Sequence, residues 1–298
     1  MSLVSILAPV YQGEEFIARF LDCVLNFDYK KLELILINDG STDNTDKIIK
    51  SYVPKFEEQN IPLKYVLLPK NKGQAHTINV GLKLVEGEYL TWCDCDDIYF
   101  PNCISRCLEE CKKDSEVKFV LAKSIVVEEC NLNKCLRVIP KTNLNRKNLF
   151  EDYLFLKDSP FGPLRFCETK ALFNVLINKT IYENKGGQNL QLFLPLLFNY
   201  KTKYIDEYMT KYVIRNSSHS RTFASLNRFK SNKDTIINTL KLIEMPNEKR
   251  NKYIKAIKHQ YFKKKIKYLF NISINPKKKK FIFVLFGIGI RIKGVQNA

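Results

Sequence analysis

Short apolar segments alternate with amphipathic segments along the first 130 residues of the chain. Several of the apolar segments contain almost no polar residue, which is typical of strands buried on both faces of a parallel sheet. The predicted strands are Leu3–Ala8, Leu32–Ile37, Leu63–Leu68, Tyr89–Cys93 and Val117–Glu128. The amphipathic segments predict the helices Glu14–Asn26, Asp43–Glu58, Gln74–Val85 and Asn102–Lys113. This alternation predicts an α/β fold, a mostly parallel sheet flanked by helices.

The pattern becomes looser beyond residue 140. It predicts an apolar helix at Leu190–Phe198 and a strand at Lys203–Ile214, and it indicates helix after Ser220. We therefore divide the chain into an α/β domain over residues 1–220, with halves at 1–115 and 116–220, and a helical, basic region over 221–298.

The net charge of +18 is concentrated at one end of the 298-residue chain. Residues 249–298, here called the basic tail, hold fifteen of the 49 basic residues and none of the 31 acidic ones. The rest of the chain is close to neutral, so the two parts need separate explanations. The tail also has an apolar stripe at helical spacing, and a lysine run, Lys277–Lys280, precedes the apolar segment FIFVLFGIGI. The stripe consists of Tyr253, Ile254, Ile257, Tyr261, Ile266, Leu269 and Phe270.

We interpret the basic tail as a segment that docks on an anionic membrane surface, because apolar and basic residues interleave in it. One alternative is that the stripe packs on the α/β domain while the lysines are solvated. The other alternative is a nucleic-acid-binding module. We expect no nucleic-acid binding, since the tail lacks a recognised reading motif.

Cysteine usage and hydropathy limit the class of protein. The nine cysteines are odd in number and lack framework spacing, and the N-terminus lacks a secretory leader pattern. The longest apolar run, Phe281–Ile290, has half of the about 20 residues that a spanning helix needs. Cys103, Cys107 and Cys111 share one helix face, which small buried side chains explain better than a metal site. We expect a cytoplasmic protein with reduced thiols.

Polar side chains that can bind a nucleotide follow three of the predicted strands. Tyr11 follows the first strand, Asp39 the second, and Asp94, Asp96 and Asp97 follow the fourth. Ligands of open parallel sheets bind at this carboxyl edge. An aromatic ring can stack on a base and a carboxylate can accept a hydrogen bond from a ring N–H, while an acidic cluster favours Mg²⁺ or Mn²⁺ shared with phosphates. The combination predicts a nucleoside diphosphate site.

Each of these features has a simpler explanation when it is taken alone. Asp39-Gly40-Ser41 is also a turn sequence, and Tyr11 is also an ordinary packed or surface tyrosine. Asp97 and Pro101 also suit a helix entry. No basic residue adjoins the acidic cluster in sequence, however, and all the features occur together.

At these positions the sequence resembles glycosyltransferase family 2, whose members are inverting nucleotide-sugar enzymes with the GT-A fold. The matching segments are SILAPVYQGEEFIARFLDCVL, LELILINDGSTDNT, NKGQAHTINVGLKLVEGEYLTWCDCDD and IYFPN. The resemblance is dense over residues 3–103 and thins out toward Arg221. It makes residues 1–115 the nucleotide-sugar-binding half and 116–220 the acceptor half of a catalytic domain.

The resemblance implies roles for the donor side of the site. Pro9 and Tyr11 would line the base pocket, and Asp39 would read the base. Asp94 would face the ribose and the diphosphate. Lys72 would lie near a phosphate on this pattern, but a solvated lysine is the favoured explanation.

The resemblance also implies a divalent cation, Mn²⁺ or Mg²⁺, on Asp96. His219 in YVIRNSSHSR would complete that site, although an exposed histidine in a serine-rich loop is the alternative. Asp97 would support the loop or face the acceptor.

The sequence departs from the family pattern at the catalytic base. Inverting members carry a Glu-Asp pair before the apolar helix of the acceptor half, whereas this chain has Gln188 and Asn189, with Gln191 nearby. Amides do not take a proton at neutral pH. Gln188, Asn189 and Gln191 are therefore expected to position the acceptor, and Asp158 is the remaining carboxylate candidate in that half. The base stays unassigned.

We therefore interpret the chain as a metal-dependent transferase that moves a sugar from a nucleotide diphospho-sugar to a glycan or lipid-linked acceptor with inversion. A uridine donor is favoured, and a thymidine donor satisfies the same contacts. Bacterial surface polysaccharide synthesis on the inner face of the membrane fits these features. The alternative is a nucleotide-sugar-binding protein without turnover, which the missing carboxylate motivates.

Overall fold

The computed structural model describes residues 1–139, 149–155, 162–183, 186–215, 226–269, 273–275, 280–285 and 288–292, without the side chains of 226–230 or of residues after Lys263. The strands are β1 Val4–Val10, β2 Leu32–Asn38, β3 Leu63–Leu67, β4 Tyr89–Trp92, β5 Ile98–Tyr99, β6 Val117–Glu128, β7 Arg137–Ile139, β8 Arg165–Glu168, β9 Lys201–Ile214, β10 Ser273–Asn275, β11 Lys280–Leu285 and β12 Ile288–Ile292. The α-helices are α1 Ile17–Leu25, α2 Thr45–Glu58, α3 Gln74–Leu82, α4 Cys103–Lys113, α5 Leu149–Leu154, α6 Thr169–Val175, α7 Gln188–Asn199, α8 Leu226–Leu242 and α9 Asn247–Leu269. The predicted α/β class is confirmed.

Nine of the described strands form one sheet in the order β3-β2-β1-β4-β8-β6-β9-β5, with β7 beside β6. The first four of these strands are parallel neighbours. β8 runs antiparallel to both β4 and β6, and β9 is parallel to β6. Because β1, β2 and β4 end at the same edge, the residues that follow them come together there.

Apolar side chains fill both sides of this sheet. All seven residues of β2 are buried, as its nearly continuous apolar sequence requires. α1, α2 and α4 cover one face, and the cysteines of α4 are small buried side chains there, as predicted. α3, α5, α6 and α7 cover the other face, where Phe193 packs against Trp92 and Phe119 with ring centroids 5.4 and 5.5 Å away.

The first part of the apolar stripe in the basic tail packs on the α/β domain. Tyr253, Ile257 and Tyr261 of α9 are buried in the same apolar cluster as α7. The Tyr253 hydroxyl donates to Glu151 at 2.8 Å. These three residues do not face a membrane, so the packing alternative is correct for them. Ile266, Leu269 and Phe270 lie outside the described side chains.

The helix expected after Ser220 is present in α8 and α9, whereas the end of the basic tail forms strands, so the helical region over 221–298 does not extend to its end. β10, β11 and β12 make a separate antiparallel sheet in which Phe281 pairs with Ile292 and Leu285 with Ile288. This segment is rich in β-branched and aromatic residues, which favour strands. Among the described residues, none of the helices combines the length and the apolar character of a membrane span.

Candidate active site

The structure brings the predicted donor-side residues to the carboxyl edge of the sheet. Pro9 and Val10 of β1 lie beside Ile37 and Asn38 of β2. The Asp39 N–H donates to the Val10 carbonyl at 2.8 Å, which places Asp39 next to Tyr11. The Cys95 thiol contacts the Pro9 carbonyl at 3.4 Å, so the acidic loop after β4 lies against the same strand end.

Tyr11 is 39% exposed at this edge, which leaves its ring accessible to a ligand. The loop that carries it is tied to the loop after β2. Gln12 makes two of the hydrogen bonds between these loops. Its N–H donates to Ser41 Oγ at 2.9 Å, and its side-chain oxygen accepts from the Thr42 N–H at 2.7 Å. The Gly13 N–H donates to Thr45 Oγ1 at 2.7 Å. These hydrogen bonds fix the position of the loop that carries Tyr11.

Asp39 is buried, and its carboxylate organises the neighbouring loop. It accepts the backbone N–H groups of Lys72 and Gly73, each at 2.8 Å. Gly73 has a φ of 93°, a conformation that favours glycine. A carboxylate oxygen has a second lone pair, so Asp39 can still accept a bond from a base.

The segment Asp39-Gly40-Ser41 is held by a local hydrogen bond and contains a glycine with positive φ. The Ser41 N–H donates to Asn38 Oδ1 at 2.9 Å, and Gly40 has a φ of 68°. A Cβ at Gly40 would lie 2.6 Å from the Lys70 backbone. This local geometry is compatible with a ligand site, because Asp39 itself is held by the Val10 carbonyl and by the N–H groups of Lys72 and Gly73.

Two arginines from distant strands pair with the acidic cluster. Arg165 of β8 donates to Asp94 at 2.7 Å, and Arg215, directly after β9, donates to Asp96 at 2.6 Å. Neither arginine could be predicted from the sequence pattern, because they lie 71 and 119 positions away from their partners. The cluster has basic neighbours in space although it has none in sequence.

Arg165 is buried with two unused donors. Its Nε and Nη1 are buried and lack a hydrogen-bond partner. The charge of Asp94 stabilises the guanidinium and keeps the pKa of Arg165 raised, against the effect of burial. An unpaired buried donor costs about 1–3 kcal/mol. Such donors beside the acidic cluster suit an anionic ligand.

Asp96 and Asp97 are held in different ways. Burial and the charge of Asp94 raise the pKa of Asp96, while Arg215 lowers it. Asp97 is fully buried and accepts the Val213 N–H at 2.8 Å, while its other oxygen has no partner. Burial raises the pKa of Asp97 well above its usual range. Asp97 therefore ties the acidic loop to β9.

The acidic cluster suits a cation that is shared with a ligand. Among the described residues, no group of three or more His, Cys, Asp or Glu side chains could hold a metal by itself. Asp94 and Asp96 supply two hard carboxylates, and Mg²⁺ is usually held by one or two carboxylates together with phosphates and water. The donor set fits such a shared site.

The acceptor side is built around the start of α7. Trp92, at the end of β4, donates its indole N–H to Asn189 Oδ1 at 3.1 Å, which places Asn189 next to the acidic loop. Gln188 begins α7 after Gly187. Gln191 is buried and exchanges two hydrogen bonds, of 2.6 and 2.8 Å, with the backbone of Tyr182. Its amide supports the segment before α7.

A histidine–glutamate pair lies beside this segment and was missed in the sequence analysis. His76 Nδ1 lies 2.9 Å from Glu183 Oε1, and His76 lowers the pKa of Glu183 despite the opposing effect of burial. Gln74, in the same turn of α3, lies 3.3 Å from Asp94. The two other predicted site residues, Asp158 and His219, lie outside the described residues, and their roles stay predictions.

Known proteins resemble this chain in sequence and in fold. The profile described as Glycosyl transferase family 2 matches residues 5–158. An uncharacterized glycosyltransferase of Rickettsia prowazekii is 38% identical over 100 residues, which cover 34% of this chain and 29% of that protein. The chain thus spans under a third of that relative.

Two solved structures are similar in fold. S. aureus TarS, residues 1–349, in complex with UDP-GlcNAc, has a TM-score of 0.69 at 18% identity, covering 94% of this chain and 78% of that one. The mannosyltransferase PcManGT from Pyrobaculum calidifontis, in complex with GDP-Man and Mn²⁺, has a TM-score of 0.56 at 15% identity, covering 87% and 69%. The expected GT-A fold is confirmed. Because the profile matches more than half of the chain, the protein belongs to glycosyl transferase family 2.

Proposed function

We propose that the protein transfers a sugar from a nucleoside diphosphate sugar to a hydroxyl group of a glycan or lipid-linked acceptor, with inversion. One juxtaposition carries this proposal. Tyr11, Asp39 and the Asp94–Asp97 loop meet at one sheet edge, where two arginines also converge. An aromatic ring, a hydrogen-bond acceptor and a mixed-charge cluster match the base and the diphosphate of such a donor.

The donor half of the site supports a uridine nucleotide, and a thymidine nucleotide would make the same contacts. Tyr11 would stack on the base beside Pro9, and Asp39 would accept its ring N–H. Lys72 lies at the turn that Asp39 holds, within reach of the ligand edge. The TarS structure contains UDP-GlcNAc, which supports a uridine donor by analogy of fold.

The leaving group needs positive charge where the sugar–phosphate bond breaks. Asp94 and Asp96 would hold Mn²⁺ or Mg²⁺, and the cation would stabilise the departing diphosphate as a Lewis acid. The PcManGT structure contains Mn²⁺, which supports this cofactor. Arg165 has unused donors at the same place and would bind phosphate oxygens.

Inversion requires that an acceptor oxygen lose its proton as it attacks the anomeric carbon. Gln188 and Asn189 cannot take that proton, and Asp158 remains the candidate carboxylate. A nucleotide-sugar-binding protein without turnover is the second candidate function. It is favoured by the Asn189 amide, which Trp92 holds at the place where the family pattern has an aspartate.

The setting that we propose is bacterial surface polysaccharide synthesis, with the protein peripheral on the cytoplasmic face of the membrane. The fifteen basic and no acidic residues of the basic tail support an anionic surface as partner. The buried face of α9 means that the lysines and the segment after α9 would make this contact.

A panel of nucleotide sugars tests the proposed function, with release of nucleoside diphosphate measured in Mn²⁺, in Mg²⁺ and in excess chelator. We expect one donor class to be consumed only with a cation. Asp96→Ala should abolish release while circular dichroism stays unchanged, and Glu57→Gln on the exposed face of α2 serves as the matched control. Full activity of Asp96→Ala, or of the chelated protein, would contradict the metal role. Donor binding without release for any acceptor extract would favour the binding-protein alternative.

A further inference from the structure

The carboxylate of Asp96 is occupied by an arginine. Arg215 Nη2 lies 2.6 Å from Asp96 Oδ2, and both side chains are largely buried, with exposures of 16% and 27%. Ion pairs of this kind are strong when they are shielded from water. The charge of Arg215 at this distance competes with a divalent cation for Asp96, because a guanidinium and a metal ion on one carboxylate repel each other.

The position of Arg215 follows from the way in which β9 ends. Val213 donates its N–H to Asp97 at 2.8 Å, and the Ile214 carbonyl accepts the Glu129 N–H at 3.1 Å. The guanidinium then lies over the Phe16 ring, 4.2 Å from its centroid. Its Nε is buried without a partner. Arg215 therefore has an unused donor in the ion-paired state.

The neighbouring arginines are placed differently. Arg165 pairs with Asp94. Arg19 donates to the main-chain carbonyl of Asp96 at 2.9 Å and pairs with Glu129 at 2.6 Å. Within the described part of the chain, Arg215 is thus the basic side chain paired with the Asp96 carboxylate.

We propose that Arg215 is a counter-charge that keeps Asp96 closed to a divalent cation until a diphosphate arrives, and that its guanidinium then moves onto the diphosphate. The planar guanidinium presents five donors and matches phosphate oxygens better than it matches a single carboxylate oxygen. The move also gives the unused Nε a partner. This inference rests on the proposed function and adds that cation and nucleotide bind cooperatively, each strengthening the other.

The test measures Mn²⁺ binding and UDP binding separately on the full chain, without turnover. Free Mn²⁺ is followed by electron paramagnetic resonance, and UDP by calorimetry at saturating Mn²⁺. Arg215→Gln should bind Mn²⁺ alone at least about fivefold more tightly, because the competitor for Asp96 is gone. The same variant should bind UDP at least about fivefold more weakly. A misfolded variant cannot give these opposite changes.

Arg19→Gln is the control, because Arg19 of α1 is a positive charge that contacts the main chain of the acidic loop, and its removal does not vacate the Asp96 carboxylate. It should leave the affinity for Mn²⁺ within about twofold. Arg215→Lys keeps the positive charge but replaces the planar guanidinium by an ammonium group, and it should also weaken UDP binding. This variant provides the test if Arg215→Gln unfolds. Unchanged or weaker Mn²⁺ binding by Arg215→Gln, or equal tightening by Arg19→Gln, would overturn the inference. A wild-type protein that binds neither Mn²⁺ nor UDP would instead contradict the proposed function.

Discussion

Trp92 donates its indole N–H to Asn189, with 3.1 Å between Nε1 and Oδ1. This bond fixes the amide at the start of α7, next to the loop that carries Asp94. The amide oxygen accepts the indole N–H, and the amide nitrogen can donate to a ligand. Asn189 therefore acts as a donor at a place where a base would need to accept a proton.

This relationship makes Asn189→Asp an informative substitution. The carboxylate is isosteric, keeps the acceptor for Trp92 and adds a group that can take a proton. We expect a rise in the rate of transfer of about 10²-fold, the lower end of what general bases contribute. Transfer is measured at saturating donor and acceptor, with UDP affinity as the control for site integrity. An unchanged or lower rate would mean that another carboxylate already performs this step.

Asn189→Ala and Gln188→Ala address the acceptor side of the same position. We expect either change to raise the KM for the acceptor and to leave UDP affinity within about twofold, because Asp39 and the acidic loop are untouched. The measurement compares the KM for the acceptor with the dissociation constant for UDP in each variant. If UDP affinity falls by the same factor by which the KM for the acceptor rises, the start of α7 supports the donor pocket instead.

Asp39 gives a prediction about donor affinity. Asp39→Ala removes the acceptor of the partly buried N–H groups of Lys72 and Gly73, which costs less than the about 1–3 kcal/mol of a fully buried unsatisfied donor. We expect weaker UDP binding together with a lower thermal midpoint, since the turn at Gly73 loosens. Asp206→Asn, an exposed carboxylate on β9, is the control. Unchanged UDP affinity would remove Asp39 from the donor site.

Asp97 gives a prediction about pH. Its pKa in the folded protein is raised, against about 3.9 in the unfolded chain, so the folded state binds the proton more tightly. Stability from this group is full at low pH and is lost as pH rises toward the folded pKa. Asp97→Asn keeps an oxygen for the Val213 N–H and removes the ionisation. The free energy of unfolding of this variant should therefore decline less than that of the wild type between pH 4 and neutrality. Parallel curves in urea titrations would contradict this account.

The strand ends of this fold could be predicted from sequence, whereas the partners of its charged residues could not. The apolar continuity of β2 and the positions of Tyr11, Asp39 and Asp94 are local signals, and the sheet edge follows from them. Arg165 and Arg215 reach the acidic loop because β8 and β9 belong to the same sheet as β4. The spacing of residues in the sequence does not predict this pairing of strands. Gln191 is similar, since its bonds to Tyr182 depend on how the segment before α7 folds back. Long-range pairing determines these contacts, and a single sequence does not contain it.

The basic tail gives the last prediction, which depends on where the chain is cut. A truncation after Glu248 removes Tyr253, Ile257 and Tyr261 from the apolar cluster, and burying such side chains contributes about 1.5–3 kcal/mol each. That truncation should therefore destabilise the whole domain. A truncation after Leu269 keeps α9 and removes the segment that contains β10–β12, so it should retain UDP binding and the wild-type thermal midpoint.

The truncation after Leu269 tests membrane docking. We expect the full chain to sediment with vesicles that contain anionic phospholipid at low salt, and the chain ending at Leu269 to stay in the supernatant. Replacement of Lys277–Lys280 by glutamine is the matched control, because it keeps the length and removes four positive charges, each worth about 1 kcal/mol near such a surface. Vesicle binding that survives both changes would move the contact onto the domain itself. Failure of the full chain to bind would leave the lysines as solvated charges on a packed helix and on the segment that follows it in sequence.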